Sequence, residues 1–225
     1  MGRKTERLTL DHLPLLPGGS AECVFWELDP VRRRAVHGHE AQAKAAWVSE
    51  VLREWGACGR VVLVDGEVAG HALWAPPAYV PGTAGFATAP VSGDAVVLTE
   101  LHVAPEHRGG GLGRLLVQGV AKDLVKRRVR AVETFGGTEG DGSCTAPTDF
   151  WLAVGFSTQR THPLHPRMRM DLRTTLTLRA ELEKGLERLL GPVGSQPQTA
   201  SRTTGSSHAR AKAAIRARIS RPRSH

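Results

Sequence analysis

The sequence predicts a single α/β domain over roughly residues 5–175. Three observations carry that expectation. Strand-like and helix-like patterns alternate along the chain. An Asp65-Gly66 pair separates two apolar runs, the signature of a tight hairpin. A strongly apolar run, 95–103, enters a glycine-rich turn and then a helical pattern. The chain has 225 residues, 40% of them hydrophobic, which allows one ordinary domain with a real core and terminal extensions.

In order, residues 6–10 read as a short strand and 11–16 as a turn or short helix punctuated by Pro17-Gly18-Gly19. Residues 23–28 are apolar with one acid, Glu27. A helix is predicted over 40–55, with Ala43, Trp47, Val48, Val51 and Trp55 on one broad face and Gly56 and Gly59 beyond its end. The hairpin strands are 60–64 and 67–73. Residues 75–93, rich in Pro, Gly and Ala and holding the single tyrosine, Tyr79, read as a long loop or insertion with a functional role. After the 95–103 strand, Pro105 breaks the pattern and a helix is predicted over 113–126. A strand at 130–135, a glycine-rich loop at 136–143, a short helix at 147–154, and strands at 156–160 and 168–172 complete the domain. A C-terminal amphipathic helix is expected at 177–190, ended by Gly191-Pro192, followed by a tail over 191–225.

Net charge is +8, from 30 basic and 22 acidic residues, which suggests an anionic partner. Its location decides what that means. Residues 201–225 contain Arg202, Arg210, Lys212, Arg216, Arg218, Arg221 and Arg223 and no acid, so the rest of the chain holds 23 basic against 22 acidic groups. The body is nearly neutral. The tail is too poor in large apolar residues to offset its ordering entropy, so a disordered basic extension is expected. It is suited to weak, salt-dependent contact with nucleic acid or acidic surfaces. No apolar run approaches a membrane span, and no apolar segment follows the charged N-terminus as in a secretory signal. Cys23, Cys58 and Cys144 form neither a disulfide framework nor a CxxC metal pair. A reduced, cytoplasmic setting with no membrane association and no metal is expected.

The segment Leu101 to Leu116 is the most informative. Gly109, Gly110, Gly111 and Gly113 allow a tight turn and close approach to a ligand. The unpaired N–H groups and dipole of the following helix favour a phosphate, and Arg108 and Arg114 add charge. No Lys-Ser/Thr follows the glycines, which excludes the P-loop pattern, and Leu116 stands where a dinucleotide fingerprint needs glycine.

Arg108-Gly109-Gly110-Gly111-Leu112-Gly113 resembles motif A of the GNAT superfamily of N-acetyltransferases, (Arg/Gln)-x-x-Gly-x-(Gly/Ala). Leu101 to His107 resembles that family's fourth strand and its exit turn, and Phe150 to Phe156 its Phe-Tyr-x-x-x-Gly-Phe segment. The likeness covers roughly 5–175. The Val24 to Leu28 segment and the region 47–62 are similar to actinobacterial members of unassigned substrate.

The resemblance implies a mixed, splayed central β-sheet flanked by helices, with acetyl-CoA as acyl-donor cosubstrate. It implies that amides from Arg108 through Gly109, Gly110, Gly111, Leu112, Gly113 and Arg114 meet the pyrophosphate, and that backbone groups near Leu101 and Val103 meet the pantetheine arm. The helical pattern agrees: Leu112, Leu116, Val120 and Leu124 repeat on one ridge and would face the sheet.

Direct transfer to an amine needs a neutral nucleophile, a held thioester and a donor for the carbonyl oxygen. Glu100 is the first candidate base, sharing by alternation the face of Leu98 and His102. His102 is a second proton carrier. Trp151 occupies the place of the family's frequent acid, a tyrosine, and an indole cannot protonate a thiolate. Cys144, Tyr79 or water are the replacements. Trp26, Glu27, Trp74 and the 75–93 segment are candidates to shape an acceptor site. A non-catalytic acyl-CoA sensor or interaction module, and a nucleic-acid-associated protein acting through the tail, are the competing functions. The 177–190 helix is able to support a homodimer.

Overall fold

The computed structural model describes residues 2–137 and 145–172. Its strands are β1 (Arg3–Arg7), β2 (Gly59–Val64), β3 (Glu67–Ala75), β4 (Ala95–Val103), β5 (Ala131–Phe135), β6 (Ser157–Arg160) and β7 (Arg167–Asp171). Its helices are α1 (Pro30–Ala35), α2 (Glu40–Trp55), α3 (Leu112–Lys126) and α4 (Thr148–Ala153). The strands form one mixed sheet in the order β1-β2-β3-β4-β5-β7-β6, flanked by helices. All neighbours are antiparallel except β4 and β5.

Local chemistry accounts for most boundaries. Helix α2 ends where Gly56 takes a left-handed φ of 79° and its N–H returns to the Val51 carbonyl. The β2–β3 turn places both Asp65 (φ 51°) and Gly66 (φ 96°) at positive φ, as a two-residue hairpin requires. The first strand lies at Arg3–Arg7 rather than 6–10. Leu8 turns into the core instead, its N–H on the Gly59 carbonyl. Helix α1 was not anticipated, although Asp29-Pro30 is a start signal. Asp29 accepts from the amides of Val31 and Arg32 at 2.9 and 3.0 Å, with proline in the first turn.

The sheet divides two cores. On one face α3 packs Leu112, Leu116, Val120 and Leu124 against Val62, Ala72, Trp74, Leu98 and Trp151. On the other, Trp47, Val48 and Val51 of α2 meet Trp26, Val61, Leu73, Val97 and Phe135. Residues 75–93 are packed rather than open. Two short 3-10 turns, Pro77–Tyr79 and Pro81–Gly85, bury Val80, Gly82 and Phe86, and Phe86 stacks on Trp26 and Phe135.

Two features of β4 set the site. Its ladder with β5 holds only from Ala95–Ala131 to Val97–Glu133, so the two strands part beyond that point. Glu133, fully buried, fastens the closed end: it accepts from Arg169 at 2.9 Å and from the Ser92 amide at 3.0 Å. The second feature is a bulge. Leu98 pairs with Trp74 and Glu100 with Leu73, so Thr99 is the extra residue, its hydroxyl donating to the Leu73 carbonyl.

The bulge corrects an expectation from alternation. Glu100 and His102 do not share the face of Leu98; Leu98 lies in the α3-side core, whereas Glu100 reaches α2. An inserted residue flips every side chain after it.

Among the described residues no helix is long and apolar enough to cross a membrane. The 177–190 helix, the 191–225 tail and Cys144 lie outside the described residues.

Candidate active site

From the bulge, β4 runs to a short 3-10 turn, Pro105–His107, and then to the glycines. Gly109 and Gly111 both have positive φ, 76° and 82°, and a Cβ on either would meet open space. The side chains missing there would stand in front of the loop, not in its packing. Gly111 caps the 15-residue α3, whose first N–H groups have no partner within the helix. Arg3 of β1 donates to the Gly110 carbonyl at 2.9 Å and steadies the loop from the side. Gly113 serves packing: a Cβ there would press on the Phe150 ring at 3.0 Å. Leu112 is buried in the α3-side core.

The two arginines are partly engaged. Arg108 Nε donates to the Val103 carbonyl at 2.9 Å, which folds the guanidinium back along the strand exit. Arg114 donates to the Ala153 carbonyl at 2.9 Å and ties α3 to α4. Leu101 and Val103 direct their side chains to the α3-side core, which leaves their backbone on the strand that parts from β5. Exposed glycines at a helix start and a strand edge released from its ladder form a continuous cradle. It fits an extended ligand with a phosphate at one end.

The opposite face of β4 carries a buried polar cluster. Lys44 of α2, fully buried, donates to Glu100 Oε1 at 2.5 Å, Glu27 Oε1 at 2.6 Å and the Cys23 carbonyl at 3.0 Å. The other Glu100 oxygen faces His71 Nε2 at 3.4 Å. Burial pushes the Glu27 carboxyl up to about 7, against the pull of Lys44. Burial also pushes Glu100 upward, but the Lys44 ammonium and the His71 contact outweigh it and hold Glu100 below the usual carboxylate range. Lys44 itself is raised: the two carboxylates outweigh its desolvation. His102 is half-buried and lowered, by burial first and then by His71 and Arg108. Cys58 is buried, and burial pushes its thiol up to about 12, which disfavours the thiolate.

The structure therefore brings Leu101 to Arg114 together as one cradle and places Glu100 and His102 on the other face of the same strand. Trp151 is a core side chain, 2% exposed, with its indole N–H on the Ala146 carbonyl at 3.0 Å. Tyr79 is half-buried, and its carbonyl accepts from the Trp47 indole at 2.7 Å.

Sequence reasoning missed Lys44 and His71. A signal for Lys44 existed: it stands three, four and seven residues before Trp47, Val48 and Val51, so it occupies the apolar face of α2. His71 had no local signal.

Comparison with known proteins places the fold. The model of the Acetyltransferase (GNAT) family matches residues 24–143, more than half of the chain, and the chain belongs to that family. No curated protein matches the chain. Among solved structures, the fold is similar to PaiA N-acetyltransferase from Thermoplasma acidophilum in complex with coenzyme A, at 12% identity and a TM-score of 0.51. That likeness covers 76% of this chain and 99% of the other. An N-acetyltransferase from Staphylococcus aureus Mu50 matches at 13% identity and TM-score 0.52 with the same coverage. YncA from Salmonella typhimurium, solved with its cofactor acetyl-CoA, matches at 14% and 0.51, covering 76% and 95%. At these identities the likeness is one of fold.

Proposed function

We propose that the protein moves an acetyl group from acetyl-CoA to a primary amine by direct transfer. The carrying observation is the cradle: a strand edge freed from its ladder leads through positive-φ glycines to the start of α3. Amides from Arg108 to Arg114 would hold the pyrophosphate, and the β4 backbone at Leu101 and Val103 the pantetheine arm. A backbone N–H of Leu101 to Val103 would meet the carbonyl oxygen as charge develops on it.

The amine nitrogen forms its bond to the thioester carbon as the carbon–sulfur bond breaks. The amine proton passes to the protein and CoA departs as thiolate, to be protonated by solvent. Glu100 and His102 form the proton-accepting unit. His102 is the neutral, half-buried imidazole, and Glu100 supplies a fixed negative charge behind it. Trp26 and Glu27, expected from the sequence to line the acceptor site, are instead buried, Trp26 in the α2-side core against Phe86 and Glu27 on Lys44. Three scattered cysteines favour a cytoplasmic setting. The actinobacterial likeness of 24–28 and 47–62, a homodimer through 177–190 and contact of the basic tail with nucleic acid or acidic surfaces belong to the same reading.

The test is release of CoA thiol from acetyl-CoA across a panel of amines, with calorimetric titration of CoA alone. Turnover with at least one amine supports transfer. CoA binding with no turnover and no hydrolysis supports a second reading, an acyl-CoA sensor, which the core placement of Trp151 favours.

A further inference from the structure

His71 is a buried titratable group that the reaction above does not use. It stands on β3 directly opposite His102 on β4. The two rings stack at 5.9 Å with their planes 21° apart. His71 Nε2 faces Glu100 Oε2 at 3.4 Å, and Glu100 is fixed through its other oxygen by Lys44 at 2.5 Å. The imidazole is thus held by a carboxylate that is itself held. The turn Pro17–Gly19 presses on His102: a Cβ on Gly18 would overlap its ring. His102 therefore packs against both the Gly18 backbone and the His71 ring.

Two ring nitrogens of this pair, His71 Nδ1 and His102 Nε2, are buried with no hydrogen-bond partner among the described residues. A buried imidazole nitrogen left unpaired is costly. Both belong to stacked rings on the face that carries Glu100, so each is free to accept from or donate to a polar group that reaches it.

We propose that His71 is a positioning residue for acetyl transfer: clamped by Glu100 and stacked on His102, it fixes the imidazole that meets the acceptor amine. This rests on the acetyl-transfer reading. The carboxylate orients His71 so that Nε2 carries the hydrogen and Nδ1 the lone pair, as in any carboxylate–imidazole pair. Burial first, and then the neighbouring His71 ring, weigh against a proton on His102. The groups facing the pair are Glu100 from β4, Lys44 from α2, Glu27 from the segment before α1, and Arg108 from the strand exit. Lys44 and Glu27 act on Glu100, and Arg108 adds to the pressure against charge on His102.

The experiment uses the full chain, nitrogen-15 labelled at histidine. Magnetic resonance of the unmodified protein should show His71 as the Nε2–H tautomer and His102 titrating below its usual range. His71→Gln keeps a donor toward Glu100 but removes the second ring. It should move the His102 midpoint upward and shift the acidic limb of kcat to higher pH. We expect kcat near neutral pH to fall at least tenfold, with KM for acetyl-CoA unchanged. A structural role alone would lower stability and leave both midpoints in place, and that result would overturn the proposal. If the variant does not fold, the tautomer in the unmodified protein decides. An Nδ1–H tautomer with acetyl transfer intact overturns the role of His71 alone. The expected tautomer without transfer to any amine overturns the transfer reading and this role with it.

Discussion

Replacing Lys44 with Met should be among the most damaging single changes in the domain. The ammonium is fully buried and contacts Glu100 at 2.5 Å, Glu27 at 2.6 Å and the Cys23 carbonyl at 3.0 Å. At an effective dielectric of about 20, each carboxylate pair is worth about 6 kcal/mol of attraction. Desolvation of three charged groups offsets most of that, so the intact cluster adds little net stability. Removing one partner is different, because two carboxylates are then left in the core without a cation. The expected loss is about 3–5 kcal/mol, a large share of the stability of an ordinary domain.

The loss should also depend on pH. Glu27 already sits near 7 when folded and in the usual carboxylate range when unfolded. The folded chain therefore holds a proton that the unfolded chain has released, and this group makes stability fall as pH rises from about 4.5 to about 7. Without Lys44 the Glu27 carboxyl moves further up and Glu100 loses the cation that held it down, so the Lys44→Met penalty should be largest near pH 8 and shrink toward pH 5. Urea unfolding followed by tryptophan fluorescence at the two pH values measures it. A loss below about 1 kcal/mol at pH 8, or one that does not diminish in acid, would refute the picture of a buried ammonium compensating two carboxylates.

Gly111→Val would force a β-branched residue into φ 82° at the cap of α3 and fill the open space before the loop. CoA affinity should drop at least tenfold by calorimetry, with about 1–2 kcal/mol of stability lost. Trp151→Tyr should not raise kcat, because the side chain lies in the α3-side core with its indole N–H on a backbone carbonyl. It should cost about 1–2 kcal/mol in urea unfolding as packing is lost, and a large gain in turnover would show the position to be catalytic after all. Gly82→Ala should destabilise by about 1–3 kcal/mol, since its Cβ would run into the backbone of Phe25 and Trp26; a neutral outcome in thermal unfolding would mean that the 75–93 segment gives way more easily than its packing indicates.

Local chemistry made much of the domain legible. Helix α2, the Asp65-Gly66 hairpin, β4 and the α3 ridge of Leu112, Leu116, Val120 and Leu124 follow from periodicity and turn residues that act over a few positions. The cradle was legible for the same reason: a strand, its glycines and a helix start are contiguous in the chain. The buried polar cluster on the other face of β4 was not. Lys44 and Glu100 are 56 positions apart, and His71 and Glu100 are 29 apart.

What the sequence determined by itself is most of the elements, the glycine-rich turn before α3 and the family it belongs to, since each is written in neighbouring residues. What tertiary structure alone decided is which side chains meet. The order of the strands set His71 beside His102, and the packing of α2 carried Lys44 to Glu100. The bulge at Thr99 turned Glu100 away from Leu98. A one-residue insertion leaves no mark on an alternating pattern, yet it chooses the face on which every later side chain falls.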